Sequence, residues 1–162
     1  MKTLSTQAEK TERAIELYTQ LVYGIALSQL NDRSEADDVY QEVFLLHLDK
    51  AIDFKNDDHE KAWLIKTTVN LCKRFNFSPW KLRTVPLEEA RFVPAAEEER
   101  TVWTALCSLK PKYRLTVYLH YFEGMSSEVI ARTLGIKHDT VRKQLQRGRE
   151  MLKVRLEGDL YE

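Results

Sequence analysis

Residues 123–156 read EGMSSEVIARTLGIKHDTVRKQLQRGREMLKVRL. Ser126 stands where a helix N-cap is needed, and its short helix carries Val129, Ile130, Ala131 and Leu134. Gly135 follows, the residue that takes a left-handed backbone at low cost, ends a helix and opens a tight turn. Ile136 is expected to fill the corner. A second helix then turns Val141, Leu145, Met151 or Leu152, and Leu156 inward. Ala131, Gly135 and Val141 set the decisive spacing: a small residue where two helices cross closely, a glycine at the turn, a branched apolar residue to pin the second helix. That pattern predicts a helix-turn-helix. The outward face of the second helix carries Arg142, Lys143, Gln146, Arg147 and Arg149. Arginine pairs with guanine and glutamine with adenine in the major groove, while lysine and arginine also bind phosphate. A basic helix face by itself is only a solvated surface. Combined with the serine, alanine, glycine and valine spacing, it points to duplex DNA.

Outward from this segment the periodicity stays helical. Residues from about 7 to 29 place Ala14, Leu17, Tyr18, Leu21, Ile25 and Ala26 on one face. Asn31 and Asp32 interrupt it. Ser34 is read as the N-cap of a second helix reaching about Ile52, with Val39, Val43, Phe44, Leu46, Leu48 and Ile52 apolar and acids in the first turn. Residues 53–59 form a polar loop, and a third helix runs from about 60 to 75. Three of the four prolines, Pro79, Pro86 and Pro94, fall between residues 76 and 97, which reads as a linker. Four helical stretches follow, at about 97–108, 111–122, 127–134 and 138–157, with Pro111 suited to a first turn. The fold class is all-α: two small helical domains, residues 1–75 and 98–162, joined by a flexible linker over 76–97, the second with the helix-turn-helix.

The 162 residues carry 25 basic and 25 acidic side chains, a net charge of zero. Zero is the total of opposed patches. Residues 31–60 hold ten acids and three bases, a net of −7. Residues 61–83 hold six bases and no acid, and residues 110–155 hold eleven bases and four acids, a net of +7. Local patches rather than the total choose partners. Hydrophobic residues are 43% and charged residues 31%, a globular composition with no apolar run long enough to span a membrane or serve as a secretory signal. Cys72 and Cys107 are far apart in the chain and form no CxxC pair. This excludes a disulfide framework or cysteine zinc site and favours the reducing cytoplasm. Both cysteines are read as packing residues. His47, His59, His120 and His138 lack metal-ligand spacing and are read as surface or partly buried histidines. No glycine-rich phosphate loop and no nucleophile motif occurs, so no cofactor, no metal, no small-molecule substrate and no enzyme activity are expected.

Three segments in order, SEADDVYQEVFLLHL at 34–48, KAWLIKTTVNLCKRF at 61–75 and the helix-turn-helix, resemble regions 2 and 4 of bacterial sigma factors of the extracytoplasmic-function (ECF) type. The resemblance covers residues from about 10 to 157. It implies a dissociable specificity subunit of RNA polymerase that recognises a −35 duplex and helps to open the −10 region. Asp37, Asp38, Gln41, Glu42 and Phe44 would then bind polymerase, through the clamp helices of the β′ subunit. Lys66, Asn70, Lys73 and Arg74 would hold the melted −10 strand, near a base pocket in the loop 53–59; Trp63 and Leu64 would be core. Arg74 stands where many members have aspartate. Thr140 would lie near a phosphate, and Arg142, Lys143, Gln146 and Arg147 would face the −35 element. Lys137 and Asp139 depart from the family, which often has serine or proline, and glycine, at those places. Asp139 is open to two readings, repulsion of phosphate or a cap. The implied partners are core polymerase (β′ clamp and β flap), promoter DNA and an anti-sigma factor.

Two other readings compete. A homodimeric helix-turn-helix regulator acting without polymerase leaves the acidic second helix unexplained. A helical adaptor that binds only protein leaves the basic recognition face unexplained.

Overall fold

The computed structural model describes residues 2–76 and 96–161. The proline-bearing stretch read as a linker falls almost wholly outside the described residues. The chain divides into two compact units, Met1–Ala90 and Arg91–Glu162.

In the first unit, α1 (Lys2–Leu30), α2 (Arg33–Lys50) and α3 (Asp57–Asn76) each pack on the other two. Ala14, Leu21, Ile25 and Ala26 of the expected α1 face are buried, as are Val39 and Val43 of α2 and Leu64, Ile65 and Val69 of α3, where the three helices pack on one another. Leu17 departs from that face and is exposed, while Tyr18 reaches across to donate to the Asp57 carbonyl. The junction between α1 and α2 falls at Asn31 and Asp32. Asn31 takes φ 51°, a left-handed conformation that asparagine tolerates. The N-cap of α2 is Asp32, whose carboxylate accepts from the Glu35 amide at 2.9 Å; Ser34 falls in the first turn instead. The helix stops at Lys50, because Ala51 turns left-handed with φ 48°, and Ile52 lies beyond it. α3 begins three residues earlier than its pattern indicates. The Asn56 side chain accepts from the His59 amide at 2.8 Å and caps it.

His47 is the main surprise of this unit. It is buried, against the expectation of a surface or partly buried ring. Its carbonyl accepts from Gln7 Nε2 at 2.9 Å. Nδ1 lies 2.8 Å from the Thr11 hydroxyl, and Nε2 lies 3.2 Å from Glu60 Oε2. Gln7, Thr11 and Glu60 are themselves buried. Phe54 stacks on the ring and Trp63 meets its edge, with centroids 5.7 and 6.0 Å away. A buried polar side chain is tolerated when its hydrogen bonds are met inside. Here one histidine ties α1, α2 and α3 together. Leu64 is core as expected; Trp63 is half-buried in this aromatic cluster.

In the second unit, α4 (Glu97–Cys107) leads to α5 (Pro111–Val117), which continues as a π-turn over Tyr118–Phe122. Pro111 sits in the first turn of α5, where its missing donor costs nothing. The π-turn interrupts the expected run of α-helix over 111–122. It leaves Tyr118 and Leu119 buried while Tyr121 and Phe122 face outward. Burial and the neighbouring Glu123 carboxylate push the Tyr118 hydroxyl well above its ordinary pKa. α6 (Ser127–Leu134) and α7 (His138–Tyr161) complete the unit, and α7 packs on α4, α5 and α6. Ile130, Val141 and Leu145 are buried beside Leu106, Val117 and Leu119.

The tightest approach is at Gly148. A Cβ built there would lie 2.5 Å from Cγ2 of Val117 and 3.9 Å from Cβ of Tyr113. Alanine normally stabilises a helix over glycine by about 1 kcal/mol. Overpacking a tight contact costs roughly 1–3 kcal/mol. Gly148→Ala is therefore expected to lower the stability of this unit in urea unfolding, and Val117→Ala in the same chain is expected to recover part of the loss. Stabilisation by Gly148→Ala alone would mean that α5 and α7 are not held this close.

Candidate functional site

The helix-turn-helix is built as its spacing requires. The Ser126 hydroxyl accepts from the Val129 amide at 3.2 Å and caps α6. Gly135 ends α6 with φ 68°, its amide bonded to the Ala131 carbonyl, and the Ile136 amide reaches the same carbonyl at 3.1 Å. Ser127 Oγ lies 2.7 Å from His138 Nε2, which ties the start of α6 to the start of α7. Ala131 and Val141 are buried at the crossing. Two apolar positions differ from expectation: Val129 and Ile136 are exposed. The turn is closed by the backbone bonds at Gly135, so Ile136 is not needed in the corner.

Thr140, Arg142, Lys143, Gln146, Arg147 and Arg149 are all exposed on α7, opposite Val141, Leu145 and Gly148. They are not equivalent. Arg142 Nη2 donates to Asp139 Oδ1 at 2.8 Å, one turn back on the same helix. Gln146 Nε2 reaches Glu150 at 3.5 Å. The neighbouring Arg147 guanidinium, with help from Lys112, draws the pKa of the Tyr113 hydroxyl down, and Lys112 Nζ lies 4.9 Å over the same ring. Arg147, Lys112 and Tyr113 thus form a cluster beside the basic face of α7. Asp139, Arg142, Lys143, Gln146, Arg149 and His120 line an open concavity of about 570 Å³.

In the first unit, Lys66, Asn70 and Lys73 recur at helical spacing along one exposed face of α3. Leu71 and Cys72 point into the core, so Cys72 is a packing residue. Arg74, one turn beyond Asn70, is also exposed and reaches toward α2. Its guanidinium lies 3.6 Å from the Glu42 carboxylate of α2. The loop before α3 carries Phe54, whose ring contacts His47, His59 and Trp63. These aromatic contacts and the Asn56 cap hold the loop against the helices.

On α2, Asp37, Asp38 and Gln41 are exposed, and Glu42 is half-buried beside Arg74. Tyr23 donates to Asp37 at 2.7 Å, and this bond raises the phenol's pKa. Phe44, grouped with this face in the sequence, is 5% exposed and packs edge-on to Tyr40 in the core. It supports the face from beneath. The outward apolar residues are Leu45, 64% exposed, and Leu48, 39% exposed. Leu48 was among the apolar positions read for this helix, and Leu45 was not. The signal was present, since FLLHL at 44–48 holds more apolar positions than one helix face can bury. Gly148 was passed over in the same way, although a glycine inside a long basic helix asks for a packing reason.

An apolar groove of about 550 Å³ lies between α4, the π-turn and the later part of α7, lined by Val102, Leu106, Tyr121, Phe122, Leu152 and Leu156. Among the described residues there is no cluster of acidic, cysteine and histidine side chains able to hold a metal ion, and no helix long and apolar enough to cross a membrane.

Residues 14–79 match the family Sigma-70 region 2, and residues 99–152 match Sigma-70, region 4. The chain is 32% identical over 140 residues to RNA polymerase sigma factor SigZ of Bacillus subtilis, covering 80% of this chain and 77% of that protein. It is 29% identical over 154 residues to ECF RNA polymerase sigma factor SigE of Mycolicibacterium smegmatis, covering 88% of this chain and spanning 60% of that relative's length. Among solved structures, the sigma factor RpoE of Bartonella quintana, in complex with the anti-sigma factor NepR, superposes with TM-score 0.74 at 19% identity, over 92% of this chain and 98% of that one. CnrH, in complex with the cytosolic domain of CnrY, superposes with TM-score 0.73 at 22% identity, over 98% and 94%. These two share the all-α fold. With region 2 and region 4 in order along one chain, and a relative of this identity covered over most of its length, the chain belongs to the ECF-type RNA polymerase sigma factors of the sigma-70 family.

Proposed function

We propose that this chain acts in the cytoplasm as a non-catalytic promoter-specificity subunit, with each exposed face described above serving one partner. The observation that carries the reading is the separation of opposite charge on adjacent helices of the first unit. α2 presents Asp37, Asp38 and Gln41 around Leu45 and Leu48, whereas α3 presents Lys66, Asn70 and Lys73. An acidic face with an apolar centre suits a basic, partly apolar helical partner, and charge complementarity speeds and orients such docking. The β′ clamp of core polymerase is that partner in this reading. A homodimeric DNA-binding regulator has no use for such a face.

The basic face of α3 takes the melted −10 strand. Lys66 and Lys73 neutralise phosphates, and Asn70 between them offers an amide to a base edge or sugar. Opening duplex DNA costs about 1.4 kcal/mol per base-pair step, and capture of unstacked bases returns roughly 1–3 kcal/mol each. In the second unit, α7 enters the −35 major groove. Arg142, Lys143 and Gln146 face it, and Thr140 and the Arg147, Lys112 and Tyr113 cluster lie toward the phosphates. The apolar groove beside α4 takes a helix from a protein partner, the β flap in the polymerase complex. An anti-sigma factor would compete for faces of this kind, as NepR is bound to the sigma factor RpoE in its complex.

Recruitment is tested on the acidic face. Asp38→Arg with Leu45→Ser changes two exposed residues, so helical content by circular dichroism is expected to stay as it is. Co-purification with core polymerase is expected to fall at least tenfold. Normal co-purification by this variant would remove the assignment of α2.

The division between the units is tested with two DNA substrates held by the polymerase complex. Arg142→Ala is expected to weaken binding to −35 duplex by about 1–3 kcal/mol and to leave capture of a single-stranded −10 oligonucleotide unchanged. Lys73→Ala is expected to weaken oligonucleotide capture and to reduce its salt dependence by close to one phosphate. Equal losses on both substrates for either variant would contradict the two-part mechanism.

A further inference from the structure

The pair between Asp139 and Arg142 is out of place on a helix meant for DNA. Asp139 is exposed on the first turn of α7, on the side that meets the polyanion, and its carboxylate side chain is 73% accessible. An acid there costs affinity by repelling phosphate. Yet its Oδ1 accepts from Arg142 Nη2 at 2.8 Å, the distance of a strong charge-assisted bond. Arg142 would otherwise be a long, mobile side chain of many rotamers.

We propose that Asp139 is a specificity-determining residue acting through Arg142, which it holds as a reader of a guanine base edge. The inference rests on the reading of α7 as the −35 helix. Three physical consequences follow from the bond. The guanidinium is fixed by one of its five N–H groups, and the remaining fork still presents two parallel donors to O6 and N7 of guanine. Rotamer freedom is given up before DNA arrives, so less is lost on binding. Finally, an arginine already neutralised by a carboxylate gains little from a phosphate. Its worth lies in direction rather than charge. Lys143 has no acidic partner among the described ion pairs and differs in this respect. Asp139 is therefore a positioning residue that moves Arg142 from the phosphates to the bases.

The test uses the full chain bound to core polymerase and a pool of promoter duplexes randomised across the −35 element. Bound fragments are sequenced, and affinities are measured at several salt concentrations for the best sequence. The wild-type chain is expected to select G·C at one position. Arg142→Ala should abolish that preference and hardly change the salt slope, whereas Lys143→Ala should lower the slope by about one and leave preferences alone. Asp139→Ala should relax the same single position by roughly three- to tenfold with the others unaffected. Asp139→Asn keeps a first-turn acceptor and serves as the folding control; it should relax that position less. If Asp139→Ala raises affinity for every sequence alike with all preferences intact, the carboxylate only repels phosphate and the proposal fails. It also fails if Arg142→Ala lowers the salt slope as Lys143→Ala does. If no substitution at 142, 143 or 146 alters duplex selection at all, the −35 reading of α7 has failed first, and the inference falls with it.

Discussion

A recognition helix is useful only if its outward face is held at a fixed angle, and in this chain that depends on a missing side chain. Gly148 lets α7 lie against Val117 so closely that even a methyl group would overlap it. With α7 seated directly on the Val117 side chain there, Val141 and Leu145 lie in the core and the basic residues between them point out. The turn at Gly135 sets where α7 begins, and the contact at Gly148 sets how it lies. A glycine inside a helix weakens it locally by about 1 kcal/mol. The tertiary contact compensates for that weakness, which is why a poor helix former occupies the middle of the long basic helix.

The first unit solves a different problem. Three helices must expose two faces of opposite charge while staying packed. The solution places a polar group at the centre. His47 bonds through its backbone and both ring nitrogens to Gln7, Thr11 and Glu60, so all three helices converge on one side chain. Such a network is costly if any partner is lost and specifies one arrangement when all are present. It also carries Phe54 and Trp63, and through them the loop that precedes α3. The position of that loop is therefore coupled to the same core that orients α2.

The ion pair from Arg74 to Glu42 shows how close the two faces come. At 3.6 Å, with Arg74 well exposed and Glu42 partly so, it is worth little in stability. Its interest is that a residue grouped with the DNA face contacts one grouped with the polymerase face. Phe44 makes the complementary point from inside, since it lies beneath the α2 surface and helps to shape it.

The sequence by itself determined the element order and the all-α class. It determined the helix-turn-helix down to its serine cap and glycine turn, the alternating charge patches, and the exposure of Lys66, Asn70, Lys73, Arg142, Lys143, Gln146 and Arg147. These are local properties, set by helical periodicity and by the conformational preferences of a few residues. Tertiary structure alone decided which residues of 44–48 turn inward, that His47 is buried, that a π-turn interrupts the run after Val117, and that Arg74 of α3 meets the Glu42 carboxylate of α2. An apolar run such as FLLHL has more candidates for the core than one helix face can take, and only the neighbouring helices choose among them. A histidine is buried only where distant residues supply its hydrogen bonds; in this chain two of them lie some forty positions away, at Gln7 and Thr11. Pairings of that kind are properties of packing, and no local pattern encodes them.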